Sequence, residues 1–198
     1  MPSTRLPART RSAVAIALAV IVTVVLAPRS FTGVAVAQSS MGSELSLGAR
    51  LGIRFGVVLV INLVLGGALY ALAPDYAEEM VTAIRDDMGG AFLWGILLGI
   101  GLPIALVLLA ITIIGLLITI PGLLALFVVG LIGNAVTILW IGGSLTSAEE
   151  LDLSAVGVGS LALAVLAAIP ILGNLATTAL GFFGLGVVGR DVYTSWRE

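Results

Sequence analysis

The chain has 198 residues, 60% of them hydrophobic and only 10% charged, with a formal net charge of −2 and a mean hydropathy of +1.22. Soluble domains carry charge on about a quarter of their residues, so a water-soluble globule is excluded and one compact membrane domain is the economical reading. With no Cys there is no thiol nucleophile, thiolate metal site or disulfide, and with no His the commonest general base and metal ligand is missing. No catalytic, cofactor-binding or metal-binding residue stands out, and the chain reads as non-enzymatic.

Arg5, Arg9 and Arg11 precede an apolar run from Ala13 to Ala27, and Ala35-Val36-Ala37 before Gln38 satisfies the small-x-small rule of signal peptidase. Residues 1–37 therefore read as a cleaved secretory signal or, if the run is retained, as a signal anchor. Under either reading residues 38–54 form a short extracytoplasmic segment. The first span follows at residues 55–74, an uncharged stretch long enough to cross a hydrocarbon core of roughly 30 Å. Arg50 and Arg54, four apart on one helical face, stand at its start and on the outer side, against the positive-inside tendency. Gly52 and Gly56 share the same spacing, which suits close helix contact.

Between Pro74 and Met88, Tyr76, Met80, Ile84 and Met88 recur every fourth residue, and the intervening positions are mostly acidic. The pattern predicts an amphipathic helix over 75–88 lying along the membrane interface, started by Pro74 and ended by Gly89-Gly90. Glu78, Glu79, Asp86 and Asp87 make its outer face, either a plain solvated surface or a docking face for a partner.

From Met88 to Ala148 the chain carries no charged side chain. Ile111-Thr112-Ile113-Ile114-Gly115 and Pro121-Gly122 interrupt this stretch, dividing it into spans at about 91–110, bent near Pro103, and 122–142. Thr112, Gly115, Pro121 and Gly122 are the expected turn residues, and Trp94 and Trp140 fall near the outer ends, where indoles prefer the interface. A second uncharged stretch, Leu153 to Gly189, is too long for one span and slightly short for two. Two arms at 154–169 and 174–189, turned at Pro170, Gly173 and Asn174, either just cross the membrane or meet within it as a re-entrant hairpin. Backbone freed at such a turn must be buried against protein or line a polar cavity. Both turns read Ile-x-Ile-aliphatic-Gly, the mark of a duplicated hairpin. Asn134, Thr137, Thr177 and Thr178 are the candidate intramembrane polar contacts. Residues 190–198 form a cytoplasmic tail.

These elements define an all-α, polytopic membrane helical bundle with an interfacial amphipathic helix and two Pro/Gly-broken hairpins. The run Leu108-Leu109-Ala110-Ile111-Thr112-Ile113-Ile114-Gly115, the later Ala168-Ile169-Pro170-Ile171-Leu172-Gly173 and the Gly-rich finish Gly181-Phe182-Phe183-Gly184-Leu185-Gly186 resemble the multi-span membrane domain attached to bactofilin-like, polymer-forming cytoskeletal proteins. The resemblance covers roughly 55–189 and implies a non-catalytic scaffold or anchor, without cofactor. Only a short segment separates the expected cleavage site from the first span, so a polymerising domain is expected on a separate partner. The expected setting is the cell membrane, multi-pass, with the lipid bilayer and a protein partner or homo-oligomer as neighbours and no nucleic acid. The alternative reading is a small channel or transporter for a neutral solute, because the spans lack the ionisable group that ion and proton pathways usually keep.

Overall fold

The computed structural model describes residues 46–146, 151–169 and 171–196. The expected signal, residues 1–37, and Pro170 lie outside the described residues. Two compact units divide the chain, 1–51 and 52–198; the first contributes only residues 46–51, and everything below concerns the second.

The described residues are helical, with no strand among them. Helix α1 is Leu47–Leu72, α2 Pro74–Asp86, α3 Met88–Ala110, α4 Ile113–Thr146, α5 Leu153–Ala168 and α6 Leu172–Ser195. Four of them, α1, α3, α4 and α6, are long and apolar enough to cross a membrane. Large apolar side chains stand exposed along α1, α3 and the first half of α4, including Val60, Val64, Leu93, Val107, Leu117 and Ile120. Such a surface is stable only in hydrocarbon, and the chain is an all-α membrane protein.

Helices α2 and α3 are joined through a single residue, Asp87. Helix α2 ends at Asp86, and Asp87, at φ −142° and ψ 68°, caps α3 by accepting a hydrogen bond from the Gly90 amide at 2.8 Å. Gly89 and Gly90 therefore belong to the first turn of α3 instead of ending α2. Within α3 the backbone takes one π turn at Leu97–Gly101, where the Leu102 amide reaches back to the Leu97 carbonyl. Pro103 lies just beyond; it has no amide to offer the preceding turn and its ring crowds the carbonyl four residues back, and a widened turn accommodates both.

The reversal between α3 and α4 takes only Ile111 and Thr112. The Thr112 hydroxyl donates to the Leu109 carbonyl at 3.0 Å and accepts from the Gly115 amide at 2.9 Å, so this one side chain closes one helix and starts the next. A Cβ at Gly115 would collide with the Leu109 carbonyl, which is why glycine stands there. The second interruption expected at Pro121-Gly122 does not occur: α4 runs through both residues for 34 residues. Losing one helical hydrogen bond at Pro121 costs less than opening a whole turn in an apolar medium. Gly122 sits against the Leu106 side chain on the α3 side, and the Thr119 hydroxyl, buried beside it, donates to the carbonyls of Leu106, 2.9 Å away, and Gly115.

Helix α5 is capped by Asp152, which accepts from the Ala155 amide at 3.0 Å and from the Ser154 hydroxyl at 2.6 Å. At 16 residues it is about 24 Å long, shorter than its neighbours. It packs against α4 through a paired close approach: a Cβ at Gly142 would strike the Ala155 carbonyl and one at Gly159 the Ile138 carbonyl. After α5 the chain reverses through Ile171, whose φ of +59° is the one positive value among non-glycine residues described. Gly173 and Asn174, expected in the turn, lie in the first turn of α6. Helix α6 continues past Gly189 to Ser195, so the expected cytoplasmic tail is the last part of a membrane-length helix.

The core lies at the end of the bundle closed by α2. Ala77, Met80, Val81 and Ile84 of α2 are buried with Ala91 of α3, Val136 and Leu139 of α4, Val156 of α5 and Val187 and Val188 of α6. The stripe that turns inward is thus not quite the expected one. Tyr76 is only partly buried, and Met88, beyond the end of α2, is exposed. The apolar face of α2 is buried in protein. Trp94 stacks on Tyr193 at 5.3 Å, and Trp140 and Phe92 both stack on Phe183 at 5.2 Å. The two indoles are therefore engaged with other rings as well as standing near helix ends.

Candidate functional site

Helix α1 touches the rest of the bundle near Gly66, where an added Cβ would meet the Ile138 side chain at 3.0 Å and Val156 at 3.5 Å. Gly52 and Gly56 have nothing within 4 Å of where a Cβ would sit, so they do not form the close helix contact that their spacing suggests. Between residues 54–62 of α1 and its neighbours lies a cleft of about 230 Å³.

Four helices line the cleft. Arg54, Val58 and Asn62 come from α1, Asn134 and Thr137 from α4, Leu163 and Ala167 from α5, and Asn174 and Thr177 from α6. Each set follows the helical repeat: 54, 58 and 62 are four apart, 163 and 167 four, and the two α4 and two α6 residues three. Every helix thus turns one short face into the same space. Three of the four expected polar contacts, Asn134, Thr137 and Thr177, meet here. Thr178 does not; it is exposed and lies outside the cleft lining. Asn174, expected at the turn, joins them.

The hydroxyls and the amides are used differently. Thr137 donates to the Gly133 carbonyl at 2.9 Å, with the Leu180 carbonyl of α6 at 3.5 Å, and Thr177 donates to the Gly173 carbonyl at 2.7 Å. Both have spent their proton on backbone, as threonine commonly does in helices. By contrast, no side-chain hydrogen bond or ion pair joins Asn62, Asn134, Asn174 or Arg54 to another described residue. Asn62 is only 6% exposed. Among the described residues the buried side-chain polar atom without a partner is the Ser160 hydroxyl of α5, not the Asn62 amide.

Arg54 and Asn62 went unnoticed as site residues in the sequence, although a signal was present. They are eight apart on one face of an otherwise apolar span, and polar residues inside membrane helices usually mark function or a partner. What the sequence could not supply was the neighbouring helices that meet that face.

The sequence profile of a domain of unknown function, DUF8173, matches residues 6–197. The chain belongs to this family. Among curated proteins and among solved structures, none matches it. The DUF8173 match covers α1 to α6, so the cleft and the α2 end fall within the family domain. Among the described residues no group of three or more His, Cys, Asp or Glu side chains is gathered as a metal site would need.

The expected docking face lies at the other end of this DUF8173 domain, some 30 Å along α1 from Arg54. Glu78, Glu79 and Asp86 are exposed there. Asp87 is exposed too but already engaged: besides capping α3 it pairs with Arg190 of α6 at 2.8 Å. The Gly90 amide first, then Arg190, hold its carboxyl below the usual carboxylate range. Asp152 is likewise held low, by the Ser154 hydroxyl and the Ala155 amide. On the inner side of α2 the Tyr76 phenol donates to the Asp191 carboxylate at 3.5 Å. Burial, followed by the charge of Asp191, raises its pKa above the usual phenol range.

Proposed function

We propose that this protein is a non-catalytic anchor in the cell membrane that holds a polymer-forming, bactofilin-like partner at one face of the bilayer. The observation that carries this reading is the seating of α2. Its inner face is buried in the core through Ala77, Met80, Val81 and Ile84, and the Arg190–Asp87 pair ties the junction after it to α6. Its outer face, with Glu78, Glu79 and Asp86, is exposed. A short amphipathic helix held this firmly presents a fixed acidic surface, which suits a mechanical attachment better than a moving part. The resemblance of the two Ile-x-Ile-aliphatic-Gly turns and the Gly-rich finish of α6 to the bactofilin-attached membrane module supplies the kind of partner. The test is cross-linking in native membranes followed by identification of the attached protein. Wild type is expected to recover a polymer-forming protein, and the triple charge reversal E78R/E79R/D86R to lose it while keeping its helical content. Recovery that is unchanged by the reversal would remove α2 as the attachment surface.

One observation favours the second reading, passage of a neutral solute. Asn134, Thr137, Asn174 and Thr177 converge on one cleft. Purified protein in liposomes gives the test: a solute flux abolished by N134L/N174L would support a path through the cleft, and absence of flux would dismiss it.

A further inference from the structure

The cleft at the Arg54 end is chemically one-sided. Its polar lining comprises a guanidinium, three carboxamides and two threonine hydroxyls, and no Asp or Glu contributes to it. The guanidinium offers only donors, and each amide offers N–H donors beside its carbonyl. Because the guanidinium and the three amides make no side-chain hydrogen bond to another described residue, their capacity is unspent, and Asn62 holds its share in a position 94% shielded from solvent. The lining sits among the buried apolar side chains of Leu163 and Ala167, 5% and 7% exposed, where an ionic hydrogen bond is stronger than in water. A donor-rich, positively charged cleft with an apolar wall matches an oxyanion carried on a small organic group. The volume, equal to roughly eight waters at ~30 Å³ each, accommodates a phosphate with a short polyol.

We propose that this cleft is a binding site for a phosphate ester of glycerol type, with Arg54 as the charged contact and the amides of Asn62, Asn134 and Asn174 as the hydrogen-bonding contacts. Planar guanidinium groups suit this task because they meet phosphate oxygens through two parallel N–H donors. The phosphate reaches the cleft either on a lipid headgroup or on a soluble molecule. The inference is independent of the anchoring reading, which uses the α2 end; loss of one leaves the other standing.

The full chain, purified in non-ionic detergent, is titrated with short-chain phosphatidylglycerol and, separately, with glycerol 3-phosphate, with binding read by native mass spectrometry and calorimetry. One site per chain is expected. R54Q should weaken it about ten-fold, the loss of one charge-assisted contact, and R54K should restore part of it. N62L should also weaken binding, whereas E78Q at the far end should not. Arg54 is exposed, so R54Q is expected to keep the helical content and melting temperature of wild type. If the lipid binds and glycerol 3-phosphate does not, the ligand is a headgroup; if both bind in an Arg54-dependent manner, the soluble ester suffices. Binding of neither probe, or equal binding by wild type and R54Q, would overturn the proposal.

Discussion

The two ends of the helical bundle meet the same problem, polar atoms beside an apolar interior, in different ways. At the α2 end the carboxylate of Asp87 is committed twice, to the Gly90 amide and to Arg190, and the Tyr76 phenol is committed to Asp191. The residues beneath are among the most completely buried in the structure, with Ala77, Ile84, Val136 and Leu139 all at 0% exposure. At the Arg54 end α1 borders a cleft, and the guanidinium and three amides that line it make no side-chain hydrogen bond to another described residue. Satisfied polar groups and dense packing make one end a rigid joint. Polar groups that open onto a cleft make the other a place where something else can complete the hydrogen bonds.

That contrast is best broken by one substitution at each end. Ile84→Asp places a carboxylate in the fully buried joint, and a loss of about 4 kcal/mol is expected, read as a large fall in the detergent melting temperature. An unchanged melting temperature would show that α2 is not seated in the core. Asn62→Leu, at the other end, replaces an amide that makes no side-chain hydrogen bond to another described residue, and the empty protein should keep its stability to within about 0.5 kcal/mol while losing the phosphate-ester binding proposed for the cleft. Destabilisation by this substitution would mean that the amide has a protein partner after all, and the contrast would fail.

The smallest effect concerns pH at the joint. The Asp87 carboxyl titrates lower in the folded protein than in the unfolded chain, where an aspartate titrates near pH ~4. Its contribution to stability is therefore fully present above that value and is lost as pH falls through the folded pKa. The stability difference between wild type and D87N should narrow as pH is lowered from about 5 to about 3. Asp152 shifts in the same direction, so part of the acid loss should persist in D87N. A difference that stays constant over this range would exclude ionisation of Asp87 as a source of the joint's stability.

Parts of both ends could be read in the residues alone. Pro74 at the start of α2 and the alternation of apolar and acidic positions after it located the helix, and Thr112 with Gly115 marked a reversal at the point where the chain makes one. The reading of Pro121-Gly122 as another reversal failed because a proline reports a missing amide, and whether a helix bends, breaks or continues depends on what packs beside it. Here α4 continues with Leu106 of α3 against Gly122. The inner face of α2 was displaced by part of a turn for a similar reason. Its register is set by contact with α3, α4, α5 and α6, and Met88, in step with the stripe, belongs to the next helix.

What the sequence determined by itself was the solvent and the backbone. A chain this poor in charge has to lie in hydrocarbon, and there it has to satisfy its amides and carbonyls within helices. Which side of each helix meets its neighbours was left to the tertiary structure. In water, polarity separates the buried face from the exposed one. In a bilayer, lipid and protein interior are equally apolar, so the pattern of Leu, Val and Ile carries little information about facing. Only the packing of α1 against the bundle placed Arg54 and Asn62 in one cleft with the amides of Asn134 and Asn174.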